Sequence, residues 1–285
     1  MEVVKWDLVV FAAGTLYWRQ AAQRLRRQAI ASGLFDEVRV ADAHWLRNEH
    51  PEIWHAARTS STGIGFGHFR WKPHLIDSAL SEAATWGKGV VYLDAGCELN
   101  VNTYSVRRFR EYLQMSVENG FVAMALELSQ GVWTKQETLQ FFGMSQDGAL
   151  KTAQVSASAL FFPPTRTSLE LVSEWSRSAD IMSGFLFDNE LDESRQHPKF
   201  QAHRFDQSVL TCLVELQGMT TIPDESYFHD EWQTRGSNYP VWVLRNKFPF
   251  SRKPGSFGDS AVRSMVKVRN AVQVSRVVSG RRSHG

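Results

Sequence analysis

Apolar residues along this chain fall into short runs and helical stripes that alternate, which is the pattern of an α/β protein. Residues 7–12, Asp7-Leu8-Val9-Val10-Phe11-Ala12, form a continuous apolar run of the length of a fully buried strand. Ala13-Gly14 follow, small enough for a ligand to approach the backbone. Residues 16–32 then place Leu16, Ala21, Ala22, Leu25 and Ala29 at helical spacing, with Arg24, Arg26 and Arg27 mostly on the polar face and Gly33 as the stop. A second strand is predicted at 37–40. Strand, helix and strand at this spacing predict a parallel sheet.

Further along, 51–72 lacks periodicity and gathers Ser60, Ser61, Gly63, Gly65 and Gly67, so it is predicted to be a loop. A helix is predicted over 73–86, a strand over 90–93 ending at Asp94, a helix over 101–119 and a strand over 121–126. Residues 155–162 form another strand stopped by Pro163-Pro164. Helices follow over 167–178 and 206–217, with a late strand at 219–222. No repeat, low-complexity stretch or Pro/Ser-rich linker divides the body. The expectation is one α/β domain over 1–250, with a mostly parallel, Rossmann-like central sheet flanked by helices, and a basic helix or tail over 251–285.

Composition changes this picture little. The chain has 285 residues, 43% hydrophobic and 22% charged, enough for a large core. Two cysteines, Cys97 and Cys212, make neither a disulfide framework nor a zinc site on their own, and they fit a reducing compartment. Lys5 and Asp7 interrupt any signal-peptide pattern, and no apolar run is long enough to cross a bilayer, so a cytoplasmic location is expected. Charge is uneven. Residues 245–285 hold ten of the 32 basic groups and one of the 30 acids, which leaves a net −7 on the rest. An acidic body argues against nucleic acid as a partner. The tail mixes apolar and basic residues over 261–278 at roughly helical spacing. It reads either as a last helix with a frayed end or as a peripheral contact with the inner face of a membrane.

Four segments carry candidate chemistry. In Tyr92-Leu93-Asp94-Ala95-Gly96-Cys97-Glu98, an acid stands at a strand end, where open α/β sheets bind ligands. Asp94 there can hold a divalent ion or a ribose hydroxyl, and it can equally cap a turn. Gly67-His68-Phe69-Arg70-Trp71-Lys72-Pro73 puts Arg70 and Lys72 at a helix start, where they can neutralise a diphosphate or simply be solvated. In Gly131-Val132-Trp133-Thr134-Lys135, Trp133 can stack on a sugar or pack in the core. Gln154, Ser156 and Ser158 alternate on one strand face. Finally, in His203-Arg204-Phe205-Asp206-Gln207-Ser208, Asp206 sits at a helix start as either a cap or a reactive acid.

The order of these pieces resembles bacterial glycosyltransferases of the GT-A fold, over roughly residues 7–245. The resemblance rests on Phe69-Arg70-Trp71-Lys72-Pro73, Tyr92-Leu93-Asp94-Ala95-Gly96, Trp133-Thr134-Lys135 and His203-Arg204-Phe205-Asp206-Gln207-Ser208. It implies a GT-A-like sheet and transfer of a sugar from a nucleotide-diphosphate donor to a hydroxyl of a saccharide or lipid-linked acceptor, in the setting of cell-surface polysaccharide synthesis. It further implies that Ala12, Gly14, Lys72, Asp94, Ala95, Gly96, Gln154 and Ser158 bind the donor, that Trp133 and Lys135 meet the acceptor, and that Asp206 and His203 are catalytic. Asp94 stands for the first acid of the family's Asp-x-Asp motif, which holds Mn2+ or Mg2+. The second acid is replaced by Gly96, so Glu98 or His203 has to complete the metal shell, or cations such as Lys72 replace the metal.

Two other readings compete. A nucleotidyltransferase would carry a glycine-rich basic loop after the first strand, where this chain has the bulky Thr15-Leu16-Tyr17-Trp18-Arg19. A non-catalytic nucleotide- or carbohydrate-binding module would keep the same pockets without the chemistry. A dinucleotide fingerprint is excluded, because Gly63-Ile64-Gly65-Phe66-Gly67 is not set between a strand and a helix.

Overall fold

A computed structural model describes residues 4–59, 65–227, 229 and 231–250. The predicted tail over 251–285 and Ser60 to Ile64 lie outside the described residues. The chain opens with strand β1 (Lys5–Ala12), helix α1 (Leu16–Ser32), strand β2 (Glu37–Asp42) and helices α2 (Ala43–Glu49) and α3 (Pro51–Thr59). Helix α4 (Trp71–Ala84), strands β3 (Lys88–Leu93) and β4 (Glu98–Leu99), helix α5 (Thr103–Asn119) and strand β5 (Met124–Ser129) come next. After three short helical turns come β6 (Ala153–Val155), β7 (Ala159–Phe162), helix α6 (Arg166–Asp180), helix α7 (Asp206–Leu216), β8 (Ile222–Pro223) and β9 (Val241–Trp242).

Local chemistry explains the ends. Gly33 takes a left-handed φ of 62° and its N–H donates to Ile30, which closes α1 where the sequence predicted a stop. The Asp42 carboxylate accepts from the amides of His44 and Trp45 and starts α2. Asn102 caps α5 in the same way.

The central sheet has the order β2-β1-β3-β7. β1 is parallel to β2 and to β3, while β7 is antiparallel to β3, so the sheet is mostly parallel as expected. Strand alternation sends Val9, Phe11, Tyr92, Leu160 and Phe162 to one face, under α4, α6 and α7. Leu8, Val10, Ala12, Leu93 and Phe161 go to the other, under α1 and α5. Both faces are covered by helices, which is why residues 8–12 of β1 read as an unbroken apolar run. A second sheet, β6-β5-β8, meets the first through a bridge between Val122 and Phe161. β4 and β9 form a small antiparallel ribbon. Among the described residues, no helix is long and apolar enough to cross a membrane.

Three expectations need correction. Residues 51–59 are helical rather than loop. Pro51 fits a first helical position, and two buried residues, Ile53 and Ala57, suffice to hold this short helix down. The predicted strand over 155–162 is split into β6 and β7 at Ser156-Ala157-Ser158. Arg24 is not on the polar face of α1. It is buried, and its guanidinium donates to the carbonyls of Cys97 (2.9 Å), Asn246 (3.2 Å), Ala95 (3.5 Å) and Phe248. One arginine thus ties the loop after β3 to the segment after β9. Replacing Arg24 with Met orphans these carbonyls and is expected to cost about 3 kcal/mol of stability, measured by urea unfolding.

Candidate active site

In an open α/β sheet the crevice for ligand lies beyond the carboxyl ends of the strands, where the strand order reverses. Here the chain runs from β1 outward to β2 and returns to the far side of β1 as β3, so the switch point falls between the ends of β1 and β3. Ala12 is buried there, and Gly14 is exposed with a left-handed φ of 83°. Asp94 follows β3 directly.

Three of the sequence candidates, drawn from three separate segments, meet at this point. The ammonium of Lys72, in the first turn of α4, lies 2.6 Å from Asp206 Oδ2 and 3.2 Å from Asp94 Oδ1, and donates to the Ala157 carbonyl at 3.0 Å. The break between β6 and β7 supplies two of these contacts. It turns the Ala157 carbonyl to Lys72 and the Ser158 carbonyl to the Asp94 amide, 2.9 Å away. The Tyr92 hydroxyl donates to Asp94 Oδ1 at 2.7 Å. Tyr92 is two residues before Asp94 on the strand, so it shares its face. The sequence gives Tyr92 no role of its own, and that two-residue spacing is the signal for it.

Burial grades the group. The Lys72 side chain is 2% exposed, Asp206 6% and Asp94 32%, so Asp94 is the member that faces outward. Burial disfavours the Asp206 carboxylate and pushes it up to about 6, with the Lys72 charge opposing the rise. Burial also works against the Lys72 charge, but Asp206 and Asp94 overcome it and hold the ammonium above the usual lysine range. Burial, then Asp94, raises the Tyr92 phenol well above its ordinary value, which keeps it a donor.

Both turns that present these residues are strained. Phe205, before Asp206, has φ 52°, while His68 and Phe69, before Lys72, have φ 57° and 62°. The His68 and Phe205 rings stack at 5.2 Å, so the two strained turns support each other.

The second pair of segments packs alongside, in roles that differ from expectation. His203 is buried. Its Nδ1 accepts from the Lys135 amide at 3.3 Å, and Nε2 pairs with the Leu186 carbonyl at 2.8 Å. Burial, then the Lys135 charge, drives its pKa down to about 3. Both ring nitrogens are committed, which removes His203 as a proton carrier or metal ligand. Lys135 does not reach an acceptor either, because its fully buried ammonium bonds Asp188 Oδ1 at 2.8 Å and the carbonyls of Phe185, Asp188 and Glu190. Trp133 is half-buried and has the Arg204 guanidinium over its ring at 4.0 Å, so that face is closed to a sugar. Gln154 is buried, donating to the Trp133 carbonyl and accepting from Gln207. It braces the site from behind. Ser158 is half-buried and contributes its carbonyl.

Ala95 and Gly96 lie under the segment after β9 instead of lining a pocket. The Asn246 amide donates to the Gly96 carbonyl at 2.9 Å, and a Cβ on Gly96 would stand 2.8 Å from Arg245 Cα. That contact explains the missing second acid: no side chain fits at position 96. Glu98 is fully buried, with Oε1 accepting from Asn246 Nδ2 at 2.6 Å. Lys72, 2% exposed and held between Asp206, Asp94 and the Ala157 carbonyl, is turned away from a diphosphate. Arg204, two residues before Asp206, is a further cation of this segment. Among the described residues no carboxylate forms an ion pair with it, and burial, then the Arg245 charge, lowers its pKa to about 10.

The residues do not fit a divalent ion. Among the described residues there is no group of three His, Cys, Asp or Glu able to hold one. Mg2+ requires near-octahedral oxygen ligands at close range, whereas here an ammonium already lies between the two acids.

No family model matches this chain, and no curated protein matches it. Among solved structures it is similar to the apo form of mouse xyloside xylosyltransferase 1, at 11% identity and a TM-score of 0.45, over 87% of this chain and 100% of that one. It is also similar to the galactosyltransferase LgtC in complex with donor and acceptor sugar analogs, at 12% identity and a TM-score of 0.45, over 95% of each chain. A third is a glycosyltransferase involved in glycosylation of the major capsid of PBCV-1, at 9% identity and a TM-score of 0.43, over 83% of this chain and 93% of that one. These are likenesses of fold, and the chemistry of this chain has to come from its own groups.

Lys72→Met leaves the buried Asp206 carboxylate, with Asp94 beside it, without a cation. The expected loss of stability is about 3–5 kcal/mol, read from urea unfolding; a loss below about 1 kcal/mol, the range of exposed pairs, would contradict the buried bridge.

Proposed function

We propose that this chain is a glycosyltransferase that moves a sugar from a nucleotide-diphosphate donor to a hydroxyl of a saccharide or lipid-linked acceptor, in the service of cell-surface polysaccharide synthesis. The observation that carries the reading is the Asp94–Lys72–Asp206 bridge at the switch point between β1 and β3.

The transfer breaks the bond between the anomeric carbon and the diphosphate oxygen and forms one from that carbon to the acceptor oxygen. The acceptor hydroxyl gives up its proton, and the diphosphate leaves with the bonding electrons. A base is therefore needed whose pKa lies near the working pH, together with positive charge for the leaving group. Asp206, at about 6, has the first property. Arg204, two residues away and unopposed by any described carboxylate, has the second. Asp94, the exposed acid, is placed to accept hydrogen bonds from hydroxyls of the donor, while Tyr92 and Lys72 fix its orientation. Phosphate oxygens approach most easily past Gly14, where no side chain projects.

Asp94→Asn keeps its size and its contact with Tyr92, so the fold is expected to survive. Sugar-nucleotide turnover should fall by about 10²-fold or more, the scale of a lost transition-state contact; an active, folded variant removes Asp94 from the mechanism.

Because the Asp206 pKa is raised, the carboxyl is protonated below about pH 6 and ionised above it. Turnover should therefore fall with unit slope on the acid side of about pH 6. Asp206→Asn should lower it by about 10²–10⁴-fold and abolish that limb. An acid limb unchanged in the variant assigns the titration to another group.

A further inference from the structure

We propose that the Lys72 ammonium is a resident cation that takes the place of a divalent metal between Asp94 and Asp206, so that this protein binds its nucleoside-diphosphate ligand without metal. The inference rests on the nucleotide-sugar reading for the ligand, but not for the metal.

Three observations support it independently. The first is coordination. Lys72 Nζ has three donors and meets Asp206 Oδ2, Asp94 Oδ1 and the Ala157 carbonyl at hydrogen-bond distances. An ion shared by the same two carboxylates would stand against the ammonium with nothing between them, and like charges at that range in a buried site repel strongly. The ammonium cannot swing away. Its side chain is 2% exposed and is walled in by the rings of Phe69 at 5.0 Å, Tyr92 at 5.2 Å and Trp71 at 5.9 Å.

The second is the closure of the alternative ligand positions. Position 96 admits no carboxylate because the Arg245 backbone occupies the space. Glu98 is held by Asn246, and both nitrogens of His203 are engaged. Each group that could complete a shell has been given other work by the fold.

The third is charge. A divalent ion would serve to offset two acids and a diphosphate. Lys72 offsets the acids from within, and Arg204, lying over Trp133 beside Asp206, remains to meet the phosphates. A fixed lysine and a fixed arginine divide the work of one ion, and because they cannot dissociate the site is permanently charged.

The test uses the full chain, stripped with EDTA and desalted. Manganese alone is titrated in, and the free ion is followed by its solution EPR signal. The expected result is that the signal tracks added manganese into the millimolar range, as in buffer. Uptake of one equivalent would overturn the proposal by itself. In parallel, UDP and GDP are titrated by calorimetry in EDTA and in manganese. Affinity should agree within twofold between the two conditions; tenfold tighter binding in manganese would also overturn it. If neither nucleotide binds under either condition, the nucleotide reading fails, while the manganese titration still decides whether Lys72 excludes the ion.

Discussion

An ammonium with almost no exposed surface survives only if it is fully hydrogen-bonded and its charge is compensated, and that requirement organises the centre of this molecule. Lys72 obtains its acceptors from three elements: Asp94 at the end of β3, Ala157 in the break between β6 and β7, and Asp206 at the head of α7. Removing Lys72 leaves the buried Asp206 carboxylate without a counter-charge, at a cost that can rival a good part of a domain's net stability, whereas Lys72 without Asp94 still faces Asp206. The bridge therefore fixes where β7 begins, where α7 begins and which way Asp94 faces. The same contacts that hold the elements together set the chemistry, because they leave one acid exposed and one buried with a pKa near neutrality.

Such a centre needs rigid surroundings, and the chain provides them from two sides. Left-handed turns at His68, Phe69 and Phe205 each store about 1–3 kcal/mol of strain, and stacking of His68 on Phe205 couples them. On the other side, the segment after β9 runs across Gly96 and is clamped by Arg24 from α1. Behind both, Gln154, Ser208 and His203 tie residues 133–135 to the head of α7. Several polar residues expected from the sequence to line the site are thus committed to bracing the Asp94–Lys72–Asp206 bridge.

Much of the architecture was legible in the sequence because it depends on local pattern. The apolar run at 8–12 announced a strand covered on both faces, Gly33 marked a helix end through its left-handed turn, and Asp206 marked a helix start as its first residue rather than its cap. Lys72, Asp94 and Asp206 stood out because strand ends and helix starts are where open α/β sheets bind anionic ligands. What remained hidden depends on contacts between distant segments. Nothing around His203 or Lys135 reveals that each is fully committed inside the protein. Arg24 looks like a helix-surface arginine until the loops at 95–97 and 246–248 close over it. Gly96 reads as a lost ligand until Arg245 is seen to fill the space its side chain would need.

The lysine-bridged pair of carboxylates beyond β1 and β3 is the proposed ligand site. Hydrogen–deuterium exchange of the full chain, with and without a saturating nucleoside diphosphate, addresses it directly. Protection is predicted at 12–16, at 94–98 and at 203–208, with little change at the opposite, amino-terminal end of the sheet around Lys5 and Lys88. Protection confined to that opposite end, or spread evenly over the chain with none at the two strand ends, would contradict it.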